Sequence, residues 1–149
     1  MLKVLPATIL AVALVVPTIT AVHAATAQVV QISLSDSSAD PATRGMQMKA
    51  EPTTVKAGRV TFKAVNQSKD LVHEVLVVPA PAGGKDLPYD AKSNTIDEKR
   101  VHSRGEISDL KPGAQGSRTL SLKPGTYLLV CNQPGHYKEG MVAKLTVEK

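Results

Sequence analysis

Residues 126–147 read TYLLVCNQPGHYKEGMVAKLTV, and the organisation of the whole chain can be worked out from them. Residues 126–130 form an apolar run that enters Cys131, while residues 142–147 alternate apolar and polar side chains, the two-residue period of a half-buried strand. Between the two runs stand Cys131, His136 and Met141, at intervals of five. The stretch therefore reads as strand, loop, strand, with a thiol, an imidazole and a thioether carried on the loop. Donors this soft are the set that suits copper. Gly135 and Gly140 permit turns closed to other residues, and Pro134 restricts the backbone between the first two donors.

Outward from this loop the same rhythm recurs. Residues 28–34, 45–50, 59–65, 71–78, 106–110 and 117–122 each read as extended segments, separated by Gly/Pro turns such as Lys56-Ala57-Gly58, Lys111-Pro112-Gly113 and Lys123-Pro124-Gly125. Seven or eight short strands with hardly any helix predict an all-β sandwich or barrel around one core of Val, Leu and Ala. Residues 79–105 carry little strand signal and allow at most a short helix, so they are expected to form a crossover or a binding flap. His102 lies there without a partner motif and reads as a solvated side chain. Met46 and Met48 share one face of their strand, as ordinary core filler in preference to a second soft-metal site.

The N-terminus reads as a targeting segment. Lys3 precedes an apolar run from Val4 to Val16, and Val22-His23-Ala24 fits a signal-peptidase site, with Ala27 as the second choice. The expected division is a cleaved signal peptide over 1–24 and one domain over 25–149; an uncleaved anchor is disfavoured by Pro6, Pro17 and the threonines. Export places the protein in a periplasm, or outside the cell where there is no outer membrane. Loss of Lys3 leaves 17 Lys and Arg against 13 Asp and Glu, a formal charge of +4. That mild excess can steer the chain toward an acidic protein partner or an anionic surface. With so few aromatics it argues against nucleic acid. In an oxidising compartment the single cysteine must be buried and inert, joined to another chain, or occupied by a ligand.

His73 interrupts a strand otherwise suited to burial on both faces. Alone it would be a satisfied core histidine; beside a Cys/His/Met loop it is the second imidazole that a trigonal copper site needs. The Cys131-x4-His136-x4-Met141 loop, together with Val72-His73-Glu74-Val75 upstream, resembles the cupredoxins, the blue copper proteins. Its spacing is most similar to the rusticyanin, auracyanin and sulfocyanin branch, over roughly residues 45–149. The resemblance implies a Greek-key β-sandwich holding one copper ion, Cu(I) or Cu(II). His73, Cys131 and His136 would lie in the plane, with Met141 axial. Where the family usually has Asn or Ser after the first histidine, this chain has Glu74, so the tie to the cysteine loop is expected to differ or be absent. Asn132 is then available as a brace. Pro134 removes one backbone donor from the neighbourhood of the thiolate.

The function implied is that of an exported, monomeric one-electron carrier serving a redox partner protein, with the edge of His136 as the exit and Tyr137 nearby. A copper-handling protein, storing or delivering the metal with the same ligands, is the alternative. The thioether speaks against zinc, which usually takes four stronger ligands. An enzyme is not expected, because oxidases and nitrite reductases of this superfamily need further histidine clusters and a dinuclear site needs a second cysteine.

Overall fold

The computed structural model describes residues 28–36 and 45–149. The expected signal peptide, with either cleavage point, lies outside the described residues. Eleven strands occur among them: β1 (Gln28–Ser35), β2 (Gln47–Glu51), β3 (Thr54–Lys56), β4 (Gly58–Asn66), β5 (His73–Pro79), β6 (Tyr89–Asp90), β7 (Thr95–Ile96), β8 (Gly105–Leu110), β9 (Gln115–Leu122), β10 (Gly125–Val130) and β11 (Val142–Glu148). All eight strands read from the sequence are present. The additional ones are short: β3 on a sheet edge, and the two-residue β6 and β7, which form a hairpin. None is long enough to develop a period. A single turn of helix, α1 (Glu98–Val101), is capped by the Asp97 side chain, which accepts from the Lys99 amide.

Two sheets face each other, one ordered β2-β1-β4-β9 and the other β3-β11-β10-β5-β8. Pairing is antiparallel except for β1 with β4 and β3 with β11. The architecture is a β-sandwich, one of the two forms the strand pattern predicts, with the Greek-key topology that the resemblance implies. Alternation produces it: on β4, Val60, Phe62 and Ala64 are buried while Arg59 and Lys63 face out. These residues meet Val75, Val77, Leu129, Leu145 and Val147 from the other sheet in one core. Met48 belongs to that core and Met46 packs against it, as filler.

β5 breaks the alternation because both of its faces are covered. Val75 and Val77 point into the main core, whereas Leu76 and Val78 join a second cluster with Leu87, Ile96, Val101 and Val130. The weakly patterned 79–105 excursion is thus a cover over the outer face of the sheet. The backbone is tied back across it by Arg104 N–H donating to Val77 O at 2.8 Å. That cover explains why β5 is apolar at successive positions.

Candidate metal centre

Strand register brings the donors together. β10 pairs antiparallel with β5, Val130 opposite Leu76, and with β11, Val130 opposite Val142. The end of β10, the start of β5 and the start of β11 therefore lie at one end of the sheet. Cys131 follows the first, His73 opens the second and Met141 precedes the third. His73, Cys131 and Met141 have no exposed surface, and His136 retains 9 %. Among the described residues, His73, Cys131 and His136 are the one group of three or more His, Cys, Asp or Glu side chains arranged to hold a metal.

The geometry is that of a small triangle. Cys131 Sγ lies 3.4 Å from His136 Nδ1 and 3.8 Å from His73 Nδ1, and the two Nδ1 atoms are 3.2 Å apart. A metal at about 2.0 Å from each nitrogen and about 2.3 Å from the sulfur, in a trigonal plane, needs separations of about 3.5–3.8 Å. The donors sit within a few tenths of an ångström of that spacing, so the site fits a metal ion without rearrangement. One thiol and two imidazoles, with a buried thioether residue next in the loop, form the donor chemistry of copper.

The loop is held by its own backbone. Cys131 N–H donates to Met141 O at 3.1 Å, Met141 N–H to His136 O at 3.0 Å, and His136 N–H to Gln133 O at 3.1 Å. Gly135 has φ 88° and Gly140 has φ 92°, a region glycine enters without strain. Gly135 N–H also donates to Asn94 O at 2.8 Å, fastening the loop to the cover.

Of the two outcomes expected at Glu74, a different tie or none, the structure shows the first. Glu74 Oε1 accepts the Asn132 amide at 3.1 Å, so the tie between the first histidine's strand and the cysteine loop exists, made by a longer carboxylate. Asn132 braces in another direction. Its Oδ1 accepts from Ile96 N at 2.5 Å, and its Nδ2 donates to Ile96 O at 3.2 Å and to Glu98 Oε1 at 2.8 Å. The backbone amides of Gln133 and Glu74 favour the thiolate form of Cys131, so loss of the Pro134 amide does not leave the sulfur without amides that stabilise it.

Two polar residues outside the strand segments and the donor spacing read from the sequence, Asn66 and Ser68, are both buried. Ser68 Oγ lies 2.7 Å from His73 Nε2, and Asn66 Oδ1 accepts the Ser68 amide at 2.9 Å. A signal for Asn66 was present, since it continues the inward series of Val60, Phe62 and Ala64; Ser68 had none.

Burial governs the protonation states. It lowers His73 to about 4, with His136 adding to the effect and Asp36 opposing it, and it lowers His136 as well. The Cys131 thiol is pushed up to about 11 by burial, opposed by the two amides. Glu74 is raised to about 7 by burial and then by Glu98 and Glu106, against the Asn132 hydrogen bond. The imidazoles are thus neutral and available as ligands, and the thiol gives up its proton only to a metal.

A sandwich of this topology with a buried His/Cys/His triangle at one end defines a cupredoxin-type copper protein. A family profile described as copper binding proteins, plastocyanin/azurin family, matches residues 36–148, and the chain belongs to that family. Its cofactor is one copper ion. A comparison with curated proteins found no match. Among solved structures, sodium-dithionite-reduced auracyanin from the photosynthetic bacterium Roseiflexus castenholzii is 22 % identical with a TM-score of 0.59, over 83 % of this chain and 98 % of that one. Auracyanin B is 26 % identical with a TM-score of 0.54, over 83 % and 90 %. Rusticyanin from Thiobacillus ferrooxidans is 20 % identical with a TM-score of 0.56, over 83 % and 79 %.

Proposed function

We propose that this protein is an exported one-electron carrier in which His73, Cys131, His136 and Met141 would hold one copper ion. The observation that carries the reading is the preassembled triangle, with donor separations of 3.2, 3.4 and 3.8 Å between side chains from β5 and from the loop after β10. Copper in such a site supplies a one-electron couple. The chain holds the donors at fixed distances and excludes water from three of the four residues, which keeps reorganisation between oxidation states small. His136 alone of the four reaches the surface, at 9 % exposure against none for the others, and is the route by which an electron leaves for a redox partner.

Copper storage or delivery is the weaker reading. It would gain from exposed thioethers near the site, but Met48 is buried in the main core and Met46 packs against it. The leader-like residues 1–24 support export to a periplasm, and a carrier role is consistent with the absence of a second metal cluster among the described residues. Voltammetry of the copper-loaded protein separates the two readings. A reversible one-electron wave, with Cu(I) retained against an acceptor protein, is the expected result. Ready transfer of Cu(I) to the acceptor would instead favour delivery.

A further inference from the structure

His73 has two ring nitrogens, and only Nδ1 faces the metal-binding triangle. Its Nε2 points the other way, into a buried pocket of side chains, where Ser68 Oγ sits at 2.7 Å. A neutral imidazole that offers Nδ1 as a lone pair must carry its proton on Nε2, and that proton needs an acceptor once it is out of water. Ser68 is the acceptor. We propose that Ser68, held in place by Asn66, is a positioning residue that fixes the tautomer and ring orientation of His73 for copper. The inference rests on the reading of His73 as a ligand.

The support behind Ser68 is unusually complete for a residue outside any strand. Asn66 is fully buried at the end of β4, and each polar atom of its side chain is used. Its Oδ1 takes the Ser68 amide at 2.9 Å, while Nδ2 donates to Leu71 O and to Leu110 O, both at 2.8 Å. Its backbone is fixed too: Asn66 N–H donates to Ala114 O at 2.9 Å and Asn66 O accepts Gly113 N–H at 3.0 Å. One amide side chain therefore ties β4, the approach to β5 and the end of β8 to a single point, and Ser68 hangs from that point facing His73. Residues 67–72 form no strand. Gln67 N–H donates to Leu34 O at 2.8 Å and fastens the segment to β1, while Ser68 itself is held through the Asn66 side chain.

Hydrogen-bond partners on the outer nitrogen of a ligating histidine set its orientation and basicity, and their removal typically lowers metal affinity about 10- to 100-fold. Alanine at position 68 would leave the Nε2 proton buried without an acceptor. A group there that only filled space would tolerate alanine.

The test compares the full-length wild type with Ser68→Ala and Ser68→Thr. Competition against a chromophoric chelator gives Cu(I) affinity, and long-range proton–nitrogen correlation spectra of the Cu(I)-loaded protein locate the His73 proton. The expected result is a proton on Nε2 in slow exchange in the wild type and an affinity about 10- to 100-fold lower in Ser68→Ala. Ser68→Thr, which keeps the hydroxyl, is expected to recover most of that loss and the slow exchange. Wild-type affinity and a slowly exchanging proton in Ser68→Ala would overturn the proposal, as would a folded Ser68→Thr as impaired as Ser68→Ala. If Ser68→Ala does not fold, the wild-type spectrum decides, and a fast-exchanging proton on His73 Nε2 contradicts the role. A wild type that takes up no copper would overturn the ligand reading itself, and this inference with it. A wild type that loads normally beside an unaffected Ser68→Ala would overturn this inference alone.

Discussion

The copper-binding end of the molecule is built from two regions that hold their donors by different means. The 131–141 loop fixes Cys131, His136 and Met141 through its own main chain, with Cys131 N–H on Met141 O and Met141 N–H on His136 O. The segment from Asn66 to His73 fixes its one imidazole through side chains, Asn66 to Ser68 to the ring. A frame of backbone bonds depends on the number of residues between donors and, apart from the glycines at Gly135 and Gly140, little on their identity. A frame of buried side chains depends on identity and fails at a single substitution. The two regions are joined by Glu74, whose carboxylate takes the Asn132 amide.

The largest effect is expected at the loop. Deleting the exposed Glu139 shortens the spacing between His136 and Met141 and removes the bond from Glu139 N–H to Gly135 O, 3.1 Å long. The copper spectrum should be lost or strongly altered, with affinity down by at least about 100-fold. Glu139→Ala keeps the length and should leave the spectrum unchanged. A chelator titration monitored by absorption distinguishes length from identity.

On the other side, Asn66→Ala keeps the chain length and removes three hydrogen bonds, two buried and one partly buried. Stability should fall by about 3 kcal/mol or more, because Leu71 O, Leu110 O and the Ser68 amide lose their partner. Urea unfolding of the metal-free protein measures it, and a loss below about 1 kcal/mol would show that the relay is not what holds this segment.

The smallest effect concerns the link between the regions. His73 is lowered from 6.5 to about 4, so its contribution to stability is present above pH 6.5 and is lost as pH falls toward 4. Glu74 is raised from 4.5 to about 7, so its contribution is present below pH 4.5 and is lost as pH rises toward 7. Between pH 4.5 and 6.5 the two slopes oppose each other. Glu74→Gln retains an acceptor for the Asn132 amide but removes the carboxylate. The metal-free variant should therefore gain stability steadily with pH across this window, more steeply than the wild type. Equal slopes in urea titrations at several pH values would remove Glu74 from the account.

The same contrast explains what could be read from the sequence. The sandwich was legible because Val60, Phe62 and Ala64 alternate with polar neighbours, and the meeting of Cys131 with His136 was legible because the two stand five residues apart on one loop between two strands. Covalent spacing is a sequence property. Ser68 was invisible because its role depends on two segments meeting in space, and a serine in a polar turn has many commoner uses. At Glu74 a change in the tie was legible and its form was not. The tie needs only an acceptor of sufficient reach, and a glutamate supplies one. The β6–β7 hairpin and β3 were missed because strands of two or three residues carry no period.

The claim on which everything else rests is that Cys131 thiolate binds copper beside His73 and His136. Absorption spectra of the purified protein titrated with Cu(II) test it directly. An intense visible thiolate-to-copper charge-transfer band, saturating at one equivalent and abolished by Cys131→Ala, is the predicted result. A colourless Cu(II) complex, or a colour that survives Cys131→Ala, would contradict it.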